Sequence, residues 1–255
     1  MNVLAIDTAT ERFSVALGAE RDGKAETWLF EADAGMRHSE LAVDCLDLLL
    51  LKAGLKAADV GGVVCTGGPG SFTGLRIGFS LAKGLALSLG IPFALVPTLD
   101  CLARPFSSWP GIAVPVLDAK KSAFFCALYR EGRRAGPDMD AAPGEIALAL
   151  AECLAAPPEG GPPERVLLFG PGAERLYGSL KLLPKDAPGA AGARAAIRLE
   201  KGARPGNAET LLEIARETGL FEKGRASAEN LFAGPRYIRE SDAEINLGAG
   251  GRIRA

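Results

Sequence analysis

The side chains that could do chemistry in this chain stand at the ends of two short apolar runs. Asp7 ends the first run and is followed by the hydroxyls of Thr8 and Thr10, and Asp118 ends the second run. Tight strand turns of this kind are typical of nucleotide phosphate sites. Both turns lack the glycine that would let the backbone approach a phosphate closely. Asp7 therefore either caps a local turn or contacts a nucleotide weakly, whereas Asp118 is expected to be structural.

Metal and nucleophile chemistry have little support. His38 is the single histidine of the 255-residue chain, so two ring nitrogens on one helical face cannot form a metal site. Ser39 is its neighbour at the start of a predicted helix, which does not place a base beside a nucleophile, and no G-x-S-x-G elbow occurs. We interpret His38 as a helix-capping or interface residue.

Two glycine-rich stretches remain. TGGPGSFTGLRIG, at residues 66–78, joins a predicted strand to a predicted helix. It is not a P-loop, because no Lys-Ser or Lys-Thr follows in register. It is either a turn that needs positive φ or an anion site at a helix N-terminus. FGPGAERL, at residues 169–176, is a degenerate version of a glycine pair that would pack on adenine.

The elements that must position these residues form a repeat. Residues 3–17 align without a gap on residues 114–128, which places Asp7 over Asp118. Apolar periodicity and turn residues predict the order βββαβαβ in each half. The predicted fold is therefore α/β, with the two lobes of a duplicated actin-like ATPase or sugar kinase (ribonuclease H-like) fold. We expect an N-terminal lobe at 1–100, joined by a helix near 207–220, a C-terminal lobe at 101–206, and an extended tail at 221–255.

Composition narrows the function classes. Hydrophobic residues make up 48% of the chain, which predicts a globular protein. The formal net charge is −2, which predicts that the chain alone does not bind nucleic acid strongly. No export signal is visible, and the longest apolar stretch, at 85–97, falls short of the ~20 residues of a membrane span. The five cysteines form no C-x-x-C pair. We expect a cytoplasmic protein without membrane association.

The predicted helix at residues 73–89 is apolar or glycine over most of its circumference. A helix that covers one side of a sheet needs a single apolar stripe, so the second stripe predicts burial against a partner or against the helix at 38–53. Gly74 and Gly78 would let another helix approach closely, and we expect Gly78→Arg to disrupt pairing while the monomer stays folded. The predicted partner interface comprises His38, Leu41, Cys45, Gly74, Leu75, Gly78, Phe79, Leu81, Ala82 and Leu85.

Five stretches together resemble one family. They are DTAT at 7–10, HSE at 38–40, the helix motif at 67–86, PVLDAKKSAFFCALY at 115–129 and GPRYIR at 234–239. In order and over nearly the whole chain, they are similar to the TsaB (YeaZ) family. The helix motif is the most specific of them.

The resemblance implies a non-catalytic scaffold or activator subunit that pairs with a TsaD-like transferase in forming threonylcarbamoyladenosine next to the tRNA anticodon. It also implies a TsaE-like ATPase as a further partner, a homodimer when the chain is alone, and tRNA contact only through the complex. No cofactor or metal is implied for the chain itself, although weak binding of ATP or ADP at the complex is compatible with it. The other interpretations are an ATP-dependent small-molecule kinase that uses the interlobe cleft and, by fold analogy, a glycoprotease-like peptidase.

Overall fold

The computed structural model describes residues 1–21, 23–35, 37–156, 165–184, 186–189, 196–202, 206–221 and 234. The predicted tail at 221–255 and the motif at 234–239 therefore lie outside the described residues, except for Phe221 and Gly234. Within the described part of the chain, the helices and strands alternate in the predicted order.

The first lobe is a five-stranded sheet in the order β3-β2-β1-β4-β5. The first three strands form an antiparallel meander, and β4 and β5 continue from β1 in parallel. The strands are β1 (Val3–Asp7), β2 (Arg12–Arg21), β3 (Lys24–Asp33), β4 (Gly62–Thr66) and β5 (Phe93–Val96). Two helices connect them, α1 (His38–Ala53) and α2 (Phe72–Leu89), and each ends at a glycine in the left-handed conformation, Gly54 and Gly90.

The second lobe repeats this topology. Its main strands run in the order β10-β7-β6-β11-β12, with the same antiparallel and parallel pairings as the first sheet. The strands are β6 (Gly111–Asp118), β7 (Phe124–Cys126), β8 (Tyr129–Arg130), β9 (Arg133–Arg134), β10 (Met139–Ala141), β11 (Arg165–Phe169) and β12 (Ile197–Leu199). The connecting helices are α4 (Pro143–Ala155) and α5 (Ala173–Leu182). The short β8-β9 hairpin, an addition to the repeat, pairs with β6.

Two further helices tie the halves together. α3 (Thr98–Ala103) leads from β5 through a short 3-10 turn (Arg104–Phe106) to β6. α6 (Ala208–Glu217) follows β12 and returns to the first sheet, where it packs on the face opposite α1 and α2. Leu211 and Leu212 of α6 share a buried cluster with Ala16 of β2. The first lobe therefore takes one of its two helical layers from the C-terminal part of the chain.

The cysteines are core residues. Cys45, Cys65, Cys101 and Cys126 are buried, and all five thiols are free. Burial raises the pKa of the Cys126 thiol to about 12, so it stays protonated at neutral pH. Among the described residues, no helix combines the length and apolar character that a bilayer span requires.

Candidate functional site

Asp7 is fully buried, and its carboxylate accepts four hydrogen bonds from the protein. Oδ1 accepts from the backbone N–H of Ala9 at 3.0 Å and from the Thr66 hydroxyl at 2.9 Å. Oδ2 accepts from the backbone N–H of Asn207 at 3.0 Å and from its side-chain amide at 2.9 Å. A carboxylate offers about four acceptor positions. The acceptor capacity of Asp7 is therefore used inside the chain.

The donors from Asn207 belong to the N-terminus of α6. The first N–H groups of a helix lack partners within it, and the positive end of the helix dipole favours a carboxylate. Two neighbouring N–H groups are satisfied in the same way, Gly206 by Glu31 at 2.7 Å and Ala208 by the Ser14 hydroxyl at 3.1 Å. Asp7 thus stabilises the docking of α6 on the first sheet, and a nucleotide or metal ion at this carboxylate would have to displace those donors.

The hydroxyls of Thr8 and Thr10 also form hydrogen bonds within the first lobe. The buried Thr8 hydroxyl donates to the carbonyl of Gly74 at 2.8 Å. The Thr10 hydroxyl accepts from the N–H of Arg12 at 3.2 Å, as in a turn in which a side chain replaces a backbone acceptor. His38 lies 2.7 Å from the carbonyl of Thr10 through Nε2, and because a carbonyl only accepts, this nitrogen carries the proton. His38 is buried and holds the turn after β1 against α1.

The glycine-rich stretch before α2 packs on that same turn. The N–H of Ser71 donates to the carbonyl of Ala9 at 2.7 Å, and the Ser71 hydroxyl caps α2 by accepting from the N–H of Gly74 at 3.2 Å. A Cβ at Gly70 would stand 2.4 Å from the carbonyl oxygen of Ala9. Gly68 has φ +100°. These contacts favour a tight strand-to-helix turn over an anion site.

Asp118 is bonded differently because it is partly exposed. Its Oδ1 accepts from the N–H of Lys120 at 2.7 Å and forms an ion pair with Arg175. Partial burial by itself would raise the pKa of the Asp118 carboxyl, but the hydrogen bonds from Arg175 and Lys120 outweigh it and lower the pKa below its ordinary value of 3.8. The following residues 120–122 all have positive φ although none is glycine, so these bonds hold an unfavourable turn.

Arg175→Gln should raise the pKa of the Asp118 carboxyl, because the variant loses the charged partner that favours the ionised form. The check is a carbon-13 NMR titration of the carboxyl in both proteins. Since the folded-state pKa is lowered, Asp118 stabilises the wild type above its unfolded pKa and loses that effect as the pH falls through the folded value. An unchanged midpoint in Arg175→Gln would contradict the assigned ion pair.

The predicted interface residues divide into two groups. His38, Cys45, Gly74, Leu75, Gly78 and Ala82 are buried within the first lobe. Leu41, Phe79, Leu81 and Leu85 are partly buried against the core of the same lobe. These six residues pack within their own lobe, and their place in a partner interface stays a prediction.

Gly74 and Gly78 both lie against Thr8 of their own chain. A Cβ at Gly74 would stand 2.1 Å from the carbonyl oxygen of Thr8, and a Cβ at Gly78 would stand 2.2 Å from the Thr8 hydroxyl oxygen. Within the chain, the close approach that these glycines allow is between α2 and the turn after β1. The expectation that Gly78→Arg leaves the monomer folded is therefore wrong on this geometry.

The exposed apolar side chains of the first lobe differ from the residues predicted for the partner interface. On α1, Val43, Leu48 and Leu51 are 55%, 43% and 74% exposed. At 100° per residue they fall within an arc of about 140°, which also contains the exposed Asp44 and Asp47. Leu87 on α2 is 59% exposed. Residues 48–51 are all leucine, which marks this part of α1 in the sequence, but periodicity alone does not say which of them face outward.

Within the described part of the chain, no group of three or more His, Cys, Asp or Glu side chains is arranged to hold a metal ion. The two acidic strand ends, Asp7 and Asp118, lie on different sheets and bind different protein donors. The arrangement holds the turns of each lobe in place.

Comparison with known proteins gives concordant results. Residues 32–247 match the family model described as TsaD: tRNA N6-adenosine threonylcarbamoyltransferase. The chain is 36% identical over 132 residues to the tRNA threonylcarbamoyladenosine biosynthesis protein TsaB of Bacillus subtilis (strain 168). The matched residues cover 51% of this chain and 56% of that protein. It is 38% identical over 132 residues to the protein of the same name in Escherichia coli (strain K12), covering 51% of this chain and 55% of the other. The chain thus spans about half the length of the curated relatives it matches.

A solved structure extends the likeness to both lobes. The crystal structure of an uncharacterized protein with similarity to peptidase YEAZ from Pseudomonas aeruginosa superposes with a TM-score of 0.66 and 25% identity, over 93% of this chain and 99% of that one. The predicted two-lobed actin-like fold is therefore confirmed. The chain belongs to the family that the threonylcarbamoyltransferase model describes, and within it to the TsaB (YeaZ) group.

Proposed function

We propose that this protein is a non-catalytic subunit in the biosynthesis of tRNA threonylcarbamoyladenosine, where it pairs with a TsaD-like transferase and keeps it active. The observation that carries the proposal is the state of Asp7, whose carboxylate is buried and bonded to four protein donors. A general base or a metal ligand needs a carboxylate oxygen with a free acceptor position, and a general acid needs a proton that it can donate to a substrate. The curated relatives named TsaB support the pathway.

The exposed face of α1 supports pairing. Val43, Leu48 and Leu51 form an apolar patch next to Asp44 and Asp47. Exposed apolar patches mark interaction surfaces, and complementary charge selects the partner. The face therefore fits a partner surface that is apolar and also carries basic residues. Leu41, Leu81 and Leu85, which also belong to the predicted interface, are partly buried against the core of the same lobe.

The remaining partners are proposed from the resemblance to the TsaB family and from the charge of the chain. With a net charge of −2, the chain has no excess of basic residues for a phosphate backbone, so tRNA is held through the complex. ATP or ADP acts at the complex and at a TsaE-like ATPase in the cytoplasm, and not as a cofactor of this chain alone. In the absence of its partner the same face of α1 serves a homodimer.

Reconstitution tests the proposal. The isolated protein, given tRNA and threonylcarbamoyl-adenylate, should form no threonylcarbamoyladenosine, and addition of the TsaD-like and TsaE-like proteins should restore formation. The product is measured by mass spectrometry of digested tRNA. Modification by this chain as the only protein would overturn the proposal. Rapid ATP hydrolysis or phosphoryl transfer by the isolated chain would favour a small-molecule kinase instead.

Leu51→Arg should weaken partner binding about tenfold or more, because it places a charge in the centre of the apolar patch. Folding should be unaffected, since Leu51 is 74% exposed. The matched control is Leu182→Arg in the second lobe, at a leucine that is 86% exposed. Binding is measured by titration calorimetry with the TsaD-like protein. Equal affinities for the two variants would show that the partner does not use this face of α1.

A further inference from the structure

Among the described residues, the chain passes between the two sheets twice. The first passage is α3 with the 3-10 turn after it, and the second leads from β12 to α6. A change in the angle between two lobes is absorbed by a few residues in such connections. The contacts made by α3 and α6 therefore decide whether the lobes can move.

α3 is packed against both lobes at once. Leu99 and Leu102 share a buried cluster with the second sheet, including Phe169 of β11. Cys101, on the same short helix, is fully buried in the cluster that joins α6 to the first sheet. Rotation of one lobe relative to the other would pull α3 out of one of these clusters.

A polar network fastens α3 to the β8-β9 hairpin of the second lobe. Asp100 accepts from the Tyr129 hydroxyl at 2.5 Å and from Nε of Arg134 at 2.7 Å. Arg134 also pairs with Asp138, whose side chain is 3% exposed, and lies over the Tyr129 ring at 5.3 Å. Burial and the bond to Asp100 raise the pKa of Tyr129, so its hydroxyl remains a donor at neutral pH.

The second passage is held at both ends of α6. Asp7 binds the N-terminus of α6 through Asn207. Near the C-terminus of α6, Glu217 pairs with Arg104 of the turn that follows α3. The two passages are thus bonded to each other as well as to the sheets.

We propose that these contacts lock the angle between the two lobes, so that the protein is one rigid body that does not open or close around a ligand. This lock is a property of the isolated chain. It is independent of the proposed pairing with a TsaD-like protein, so one proposal can be wrong while the other holds. Arg134 is the residue on which the network at α3 depends, because it bonds to Asp100 and Asp138 together.

The experiment measures distances by pulsed electron paramagnetic resonance. Spin labels are attached through keto-bearing unnatural residues, which leaves the cysteines unchanged. One pair spans the lobes, at the exposed positions Glu40 and Glu152, and a reference pair lies within the first lobe, at Lys24 and Glu40. The labelled protein is diluted with unlabelled protein, so that only distances within one chain are measured. We expect the interlobe distribution to be as narrow as the reference and unchanged by saturating Mg-ATP.

Arg134→Met should broaden or shift the interlobe distribution, because it removes the bonds to Asp100 and Asp138 together. Arg133→Met, at the neighbouring position on the same strand, which is also exposed, leaves those bonds in place and should not change the distribution. If Arg134→Met does not fold, the second variant is Tyr129→Phe, which removes only the hydroxyl bond to Asp100. Its interlobe distribution should also broaden or shift. A wild-type distribution that is broad or moves with Mg-ATP would overturn the lock. A folded network variant with a distribution as narrow as that of Arg133→Met would do the same.

Discussion

Asp7→Ala should lower the free energy of unfolding by about 4 kcal/mol or more, because four buried donors lose their acceptor at once and each such loss costs about 1–3 kcal/mol. The donors belong to β4, to the turn after β1 and to α6, so the loss loosens three elements. Urea unfolding followed by circular dichroism measures the change.

The matched control for Asp7→Ala is Asp118→Ala, at the equivalent strand end of the second lobe. Its carboxylate is partly exposed, and exposed pairs contribute about 0–1 kcal/mol. A nucleotide ligand at Asp7 would predict a different pattern, in which Asp7→Ala weakens ATP binding and leaves unfolding unchanged. Equal stability losses in the two variants would contradict the role of Asp7 in docking α6.

Gly78→Arg should prevent the first lobe from folding. The new Cβ would lie 2.2 Å from the Thr8 hydroxyl oxygen, and the charged group would be forced into the interior, where an unpaired charge is very costly. Even Gly78→Ala should cost about 1–3 kcal/mol by overpacking. Circular dichroism and thermal unfolding measure both effects.

Gly84 provides the control on the same helix. A Cβ at Gly84 meets nothing within 4 Å. Gly84→Arg and Gly84→Ala should therefore stay folded and gain up to about 1 kcal/mol, since both residues favour a helix more than glycine does. A stable, folded Gly78→Arg protein would show that α2 does not pack on the turn after β1.

Much of the fold could be predicted because its signals are local. Apolar alternation, terminal glycines and the repeat of residues 3–17 at 114–128 gave the element order, and the duplication gave two sheets with one topology. The sequence also predicted that Asp7 and Asp118 end equivalent strands. The lobe boundaries at 100 and 206 stay predictions.

The candidate site was harder to predict because its contacts are remote in sequence. Asp7 binds Asn207, 200 positions away, and no periodicity reports such a pair. Gly74 and Gly78 have the spacing of a helix–helix contact, yet their neighbour is Thr8. Lys120, Lys121 and Ser122 adopt positive φ without the glycine or asparagine that usually signals it. In each case a tertiary contact decided between local alternatives.

The return of α6 to the first sheet has a consequence for synthesis on the ribosome. The first lobe has all its strands once β5 has emerged, but one face of its sheet stays uncovered until α6 follows, more than a hundred residues later. At about 5–20 residues per second, that delay lasts roughly 6 to 20 s. During it Ala5, Ala16 and Val64 face solvent or a chaperone, so the nascent first lobe is exposed to aggregation until the second lobe has been made.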